Sequence, residues 1–262
     1  MKLAYTSLAK YYDLIFSRKD YPQEVEFIRT IIKDKCPEAK NILDIGCGTG
    51  EHLNLLKDEF ETLWGVDVNQ EIINEAKKKS DKINYLVGGM KDFAIDAKFD
   101  VITCLYSVFN YNLTLEDATM ALDNFKKHLN PGGVIIFALY TPHNTDKVVS
   151  LHMGNNDEIE VAKINQYVFD PATGLETTDF LIFTKTSAGV DFQVEKNHKY
   201  RIYSTEEFSS LCQKSGFTKH EYFDRFQNIP VNGKTKYLSI YSPKTNRLNG
   251  NRLLISMAPS YF

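Results

Sequence analysis

Apolar and polar positions follow two rhythms along this chain. Between Tyr5 and Phe16, and again at Val25, Phe27, Ile28, Ile31 and Ile32, apolar residues recur at helical spacing. Pro22 suits the first turn of the second of these helices, which is expected to run to Lys35. From Asn41 the pattern changes to short apolar runs separated by amphipathic stretches. Strands are predicted over Asn41–Ile45, Thr62–Val68, Asn84–Val87, Phe99–Leu105 and Val134–Leu139. Helices are predicted between them over Glu51–Phe60, Gln70–Lys79 and Leu115–Leu129, the last closed by Asn130-Pro131-Gly132-Gly133. The fifth strand is apolar almost throughout, as expected when both sheet faces are covered. Alternation of this kind predicts an α/β domain on a parallel sheet with right-handed crossovers.

After Tyr140 the helical stretches stop. Ile159–Phe169, Glu176–Thr186 and Phe192–Tyr203 read as successive strands joined by Asp170-Pro171-Ala172-Thr173-Gly174 and Ser187-Ala188-Gly189. They predict an antiparallel insertion over the open edge of the sheet. A helix resumes after Ser204, an N-cap with Glu207 three residues on, and ends at Gly216. Lys219–Phe226 and Arg252–Ala258 read as closing strands, while Asn228–Asn251 receives no assignment. The expected division is an N-terminal helical segment over 1–38, a core over 39–145 and 204–262, and an insertion over 146–203.

Composition narrows the class. In 262 residues, 31 Lys and Arg face 34 Asp and Glu, a net charge of −3, so no basic stripe suggests a nucleic-acid partner. The longest apolar run, Val134 to Tyr140, is too short to cross a membrane, and the first residues lack the apolar core of a secretion signal. A cytoplasmic enzyme is expected. Cys36, Cys47, Cys104 and Cys212 form no C-x-x-C pair, so neither a zinc site nor a disulfide framework is expected.

The chemistry concentrates in Leu43-Asp44-Ile45-Gly46-Cys47-Gly48-Thr49-Gly50-Glu51, between a strand and a helix. Glycines at alternate positions let the chain turn sharply and let a ligand lie on bare backbone, at the carboxyl end of a strand where open parallel sheets bind ligands. A dinucleotide loop wants G-x-G-x-x-G, and here Glu51 follows Gly50. A carboxylate there repels pyrophosphate and suits a ligand with ribose and a cation instead. Asp67, at the end of the second strand, is placed to accept both ribose hydroxyl protons.

These residues resemble the class I S-adenosylmethionine-dependent methyltransferases: Asp44–Gly50 their nucleotide loop, Asp67 their ribose acid, Asn130–Gly133 the turn before their fifth strand. Within that superfamily the chain is most similar to small-molecule N-methyltransferases that dimethylate amino groups of nucleotide-linked sugars. The matching stretches are Tyr12-Asp13-Leu14 with Lys19-Asp20-Tyr21, Gly50-Glu51-His52-Leu53, Gly89-Met90-Lys91-Asp92-Phe93 and Ser107-Val108-Phe109-Asn110-Tyr111. The resemblance implies a Rossmann-like, doubly wound, mostly parallel seven-stranded sheet with an antiparallel insertion after the fifth strand and an N-terminal helical lid. It also implies S-adenosyl-L-methionine as cofactor, a small-molecule acceptor, and a homodimer, since dimers are common in that subfamily.

The implied cofactor residues are Tyr12, Tyr21, Asp44, Gly46, Cys47, Gly48, Asp67, Val68, Met90, Lys91 and Leu105, with Tyr12 reaching the methionine carboxylate. One departure stands out: the subfamily's Gly-Asp-Met reads Gly88-Gly89-Met90 here, so the carboxylate that takes the adenine amino group is missing, with Asp92 as its substitute. The acceptor is expected among Tyr106, Tyr111, Tyr140 and the insertion, where Arg201 suits an anionic group. His143, and Tyr12 beside it, are the catalytic candidates, His143 as the group that takes the amine proton. His198 and Arg201 are three apart on a strand, so only one can face the site. His52 and His128 fall on helices and are expected to be structural or exposed. The rival readings are a methyltransferase acting on RNA or protein and a nicotinamide-dependent oxidoreductase.

Overall fold

A computed structural model describes residues 8–140, 147–223, 237–238 and 252–255. A 3-10 turn, Ala9–Tyr11, leads into α1 (Tyr12–Ile15) and then α2 (Tyr21–Lys35), whose N-cap Asp20 accepts from the Gln23 amide at 3.0 Å. The alternating region follows as β1 (Asn41–Ile45), α3 (Glu51–Leu56), β2 (Thr62–Asp67), α4 (Gln70–Lys77), β3 (Asn84–Val87), β4 (Phe99–Cys104), α5 (Leu115–His128), β5 (Leu129–Phe137) and β6 (Leu139–Tyr140). Four antiparallel strands come next: β7 (Lys147–Asn155), β8 (Ile159–Asp170), β9 (Leu175–Thr186) and β10 (Gly189–Arg201). The chain closes with α6 (Thr205–Lys214), β11 (His220–Tyr222), β12 (Tyr237–Leu238) and β13 (Arg252–Ile255).

The central sheet runs β11-β13-β5-β4-β1-β2-β3, with parallel pairing at each step. Successive residues of a strand point to opposite faces, and both faces are apolar. Leu43, Ile45, Ile102 and Ile135 share one core with Phe125 of α5 and Phe208 of α6. Ile42, Val101, Val134 and Ile136 share the other with Ile28 of α2 and Leu53 of α3. This is a Rossmann-like fold, and its strand ends all open on one side.

Two expectations need correction. The Asn130–Gly133 turn is not a break before the fifth strand: β5 starts at Leu129 and passes through it, with a register shift opposite Phe99 and Val101. Gly132, at φ 86°, supplies the left-handed bend, and Asn130 Nδ2 ties it to Asp100 Oδ1 at 2.8 Å. The antiparallel sheet, in order β10-β9-β8-β7, has one strand more than the pattern predicts. In the extra strand β7, Ser150 is buried while Val149, Leu151 and Met153 face outward, so its polarity is reversed and the apolar rhythm does not announce it. The inner face of this sheet packs Val161, Phe180 and Ile182 on Leu8 and Ile15. At Gly154 the contact is so close that a Cβ would overlap the Leu14 carbonyl.

Candidate active site

At the end of β1 the amides of Gly46 and Cys47 both donate to the Val66 carbonyl, at 2.7 and 3.1 Å, which turns the chain over β2. Gly46, Gly48 and Gly50 have φ of 69°, 55° and 76°, the left-handed region that favours glycine. A side chain at Gly46 would collide with Val108, whereas the place of a Gly48 side chain is open space. Beside it, Asp67 is fixed by two amides: Gly48 N donates to Oδ2 at 3.1 Å and Asn69 N to Oδ1 at 2.9 Å. Burial raises the Asp67 pKa, and these amides pull it back.

The loop forms the floor of a cleft whose walls include Tyr12, Tyr21, Leu105 and Tyr106. Tyr106 and Ser107 are both left-handed, at φ 52° and 61°, so the chain leaving β4 turns Tyr106 over the cleft. On the floor, buried Asp44 accepts from Thr103 Oγ1 at 2.6 Å, and burial pushes its pKa up to about 7 against that bond. Asp13 of α1 ties the N-terminal segment to the loop, accepting from Thr49 Oγ1 at 2.6 Å and pairing with Lys79 at 2.6 Å. Lys79 also pairs with Glu51 at 2.5 Å, so the charge expected to repel pyrophosphate is met by a cation. Exclusion of a dinucleotide therefore rests on the glycine spacing.

A second layer joins Lys19 and His52, which lie in two of the matching stretches, through Glu24, which lies in none. Lys19 Nζ lies 3.1 Å from Glu24 Oε2 and over the rings of Tyr21 and Tyr106, 3.6 and 3.2 Å from their centroids. Glu24 also accepts from Tyr106 Oη at 2.7 Å and lies 2.8 Å from His52 Nε2. Burial raises the Glu24 pKa, but the His52 bond and the Lys19 charge outweigh it and the net shift is downward. His52 is thus a cleft residue, correcting the expectation that it stands away from the strand ends. One signal was available: Glu24, Ile28 and Ile31 fall at positions i, i+4 and i+7, which puts a carboxylate on the buried stripe of α2.

The other expected residues divide. Cys47 is buried behind the loop, with Sγ 2.8 Å from where a Gly65 side chain would begin. Val68 follows Asp67 and is 46% exposed. Met90 is held by Asn112 Nδ2 on its sulfur at 2.9 Å and Asn124 Nδ2 on its carbonyl at 3.3 Å. The Lys91 ammonium pairs with Asp117 in the first turn of α5 at 2.6 Å. Asp92 Oδ1 lies 2.8 Å from where a side chain on Gly89 would start.

Tyr111 Oη meets Tyr200 Oη at 3.0 Å, which joins the core to the insertion. The Tyr140 amide donates to Asn110 Oδ1 at 3.3 Å. The Arg201 guanidinium pairs with Glu207 of α6 at 2.6 Å. His198 takes the insertion's inner face, stacked on Phe180 at 4.4 Å and 3.2 Å from Glu195. His128 is buried and structural, accepting from the Ile95 amide at 3.3 Å. His143 lies outside the described residues.

A carboxylate at the end of β2, a bare-backbone loop beside open space and aromatic walls fit a ribonucleoside with a cationic centre. Among the described residues no cluster of metal-ligating side chains occurs, and no helix is long and apolar enough to cross a membrane. The fold and site define a nucleoside-dependent transferase.

The methyltransferase domain family matches residues 42–133. The chain is 31% identical over 164 residues to the dTDP-3-amino-3,4,6-trideoxy-alpha-D-glucopyranose N,N-dimethyltransferase of Streptomyces venezuelae, covering 61% of this chain and 69% of that protein. Its fold is similar to the crystal structure of Streptomyces venezuelae DesVI, with a TM-score of 0.76, 23% identity, and coverage of 92% and 98% of the two chains. It is similar also to an S-adenosylmethionine-dependent methyltransferase from Clostridium acetobutylicum, at a TM-score of 0.75, 24% identity, and coverage of 90% and 97%. The chain belongs to the class I S-adenosylmethionine-dependent methyltransferases, and S-adenosyl-L-methionine is its cofactor.

Proposed function

We propose that this enzyme methylates the amino group of a nucleotide-linked amino sugar. The observation that carries this reading is the likeness to a sugar N,N-dimethyltransferase over 164 residues, 61% of this chain. When bound, S-adenosyl-L-methionine supplies an electrophilic methyl group on a sulfonium. In this reading Asp67 accepts from the ribose hydroxyls, the Gly46–Gly48 backbone lies under the nucleoside, and Val68, Met90 and Leu105 border the base. Lys91 follows Met90 there, its ammonium held by Asp117. Tyr12, Tyr21 and Tyr106 keep water from the cationic centre, their phenols held protonated by burial.

Residues 1–38 act as a helical lid over a core of 39–145 and 204–262, and the insertion 146–203 covers the acceptor. Tyr111 and Tyr140 face the acceptor, and His143 takes the amine proton. Holding the nucleophile about 3–3.5 Å from the methyl carbon, in line, accounts for most of the acceleration. The outer face of the insertion carries exposed Leu151, Met153, Phe183, Phe192 and Val194, an apolar patch suited to a second copy in a homodimer. The enzyme works in the cytoplasm on a free small molecule, with no nucleic-acid partner.

The test is to incubate the protein with S-adenosyl-L-methionine and a panel of dTDP-amino sugars, and to follow mass. Gains of one and then two methyl groups on the amine are expected. Methyl transfer to RNA or protein, with every sugar unchanged, would replace this reading.

A further inference from the structure

The cleft has an unusual charge inventory. Asp44, Glu51 and the nearby Asp67 are acidic, and Lys19 is the one lysine or arginine among the described residues that line it. Its side chain is 4% exposed, and burial pushes its pKa down to about 7 while Glu24 pulls it back. Taking a lysine this far from water is costly, and an anion beside it offsets that cost. Glu24 repays part of it, yet that carboxylate already serves His52 and Tyr106. An ammonium carries three protons, and the remaining faces of this one are turned to the rings of Tyr21 and Tyr106 in the cleft wall.

The amino-acid end of S-adenosylmethionine brings a carboxylate that must lose its water on binding, and every other charged wall of the cleft would repel it. We propose that Lys19 is the cationic ligand of that carboxylate, beside the Tyr12 hydroxyl in the same cleft. Glu24, with His52 and Tyr106, is the positioning set that holds the ammonium at the cleft wall. The inference rests on the reading that this cleft takes S-adenosylmethionine.

Calorimetry on the full chain tests it, using S-adenosylmethionine and decarboxylated S-adenosylmethionine as the two probes. The wild type should bind the carboxylated probe about 50-fold more tightly, the scale of a buried charge-assisted hydrogen bond. Lys19→Gln should lose about that factor for the carboxylated probe and change less than about threefold for the other, while Lys19→Arg retains most of the discrimination. Equal losses for both probes, or no loss for either, would overturn the assignment. Far-ultraviolet circular dichroism and Tm check each variant; if the Gln variant is unfolded, Lys19→Arg and the wild-type preference carry the test, and a wild type without preference overturns it. A wild type that binds neither probe defeats the cofactor reading itself, whereas binding without preference defeats only Lys19.

Discussion

Strand β5 of the central sheet gives Val134, Ile135, Ile136 and Phe137 to packed helices on both sides, each at 0% exposure. Strand β8 of the antiparallel sheet buries Lys163 and Asn165 at 2% and 1%, while the same sheet turns Phe183, Phe192 and Val194 outward. Cross-strand register collects the insertion's buried polar groups into rows: Ser150 opposite Asn165, His152 opposite Lys163, Thr178 opposite His198. Asn165 Oδ1 and Thr178 Oγ1 have no hydrogen-bond partner among the described residues. The central sheet is therefore arranged for stability. The insertion carries desolvation costs that apolar residues of the same shape would avoid.

The contrast can be broken, first at its largest expected effect. Phe137→Ala should cost about 4 kcal/mol in denaturant unfolding, since Phe137 interlocks with Phe109 and Phe208 at ring distances of 5.1 and 5.4 Å; a loss below about 1 kcal/mol would mean the core is not packed as described. Next, Asp67→Ala should weaken cofactor binding at least about 100-fold by calorimetry, with Tm little changed, because the ribose hydroxyls lose a charged acceptor. Unchanged affinity would remove the ribose assignment.

Lys163→Met made together with Glu195→Gln, so that no buried carboxylate loses its cation, should act in the opposite direction, raising stability by about 2 kcal/mol at pH 7. Burial lowers the Lys163 pKa from its ordinary 10.5 to about 7. Between those values the unfolded chain binds a proton that the folded chain has released, so stability rises with pH across that window. Lys19, shifted likewise to about 7, contributes to the same rise. The double variant should flatten the Lys163 share of the slope; a slope as steep as wild type would exclude Lys163 as its source. Smallest of all, Phe192→Ala on the outer face should leave the unfolding free energy of the monomer within about 0.5 kcal/mol. If the homodimer forms there, Phe183→Lys should nonetheless halve the mass seen in sedimentation, and an unchanged mass would move the interface elsewhere.

The same contrast governs what the sequence could tell. Asn41–Ile45 and Asn84–Val87 are strands to the residue, because a short apolar run bounded by polar turn residues is a local strand signal. Strand β7 escaped notice because its buried positions are polar. In the site, the glycine spacing and Asp67 were legible, since one strand-turn-helix unit and the next strand end place them together. Lys19, Glu24 and His52 come from the N-terminal side of α2 and from α3, and only the packing of those helices brings them into contact. The Lys91–Asp117 pair is illegible for a related reason: no local pattern announces that Asp117, 26 residues on, will meet Lys91.

Gly154 carries one more consequence. With no room for even a methyl group, strand β7 rests directly on the main chain of α1, and main chain cannot rotate aside as a side chain can. If the cleft opens at this corner, helix and strand must travel as one hinged flap, so ligand exchange there would be timed by a collective motion and not by the flip of a single residue.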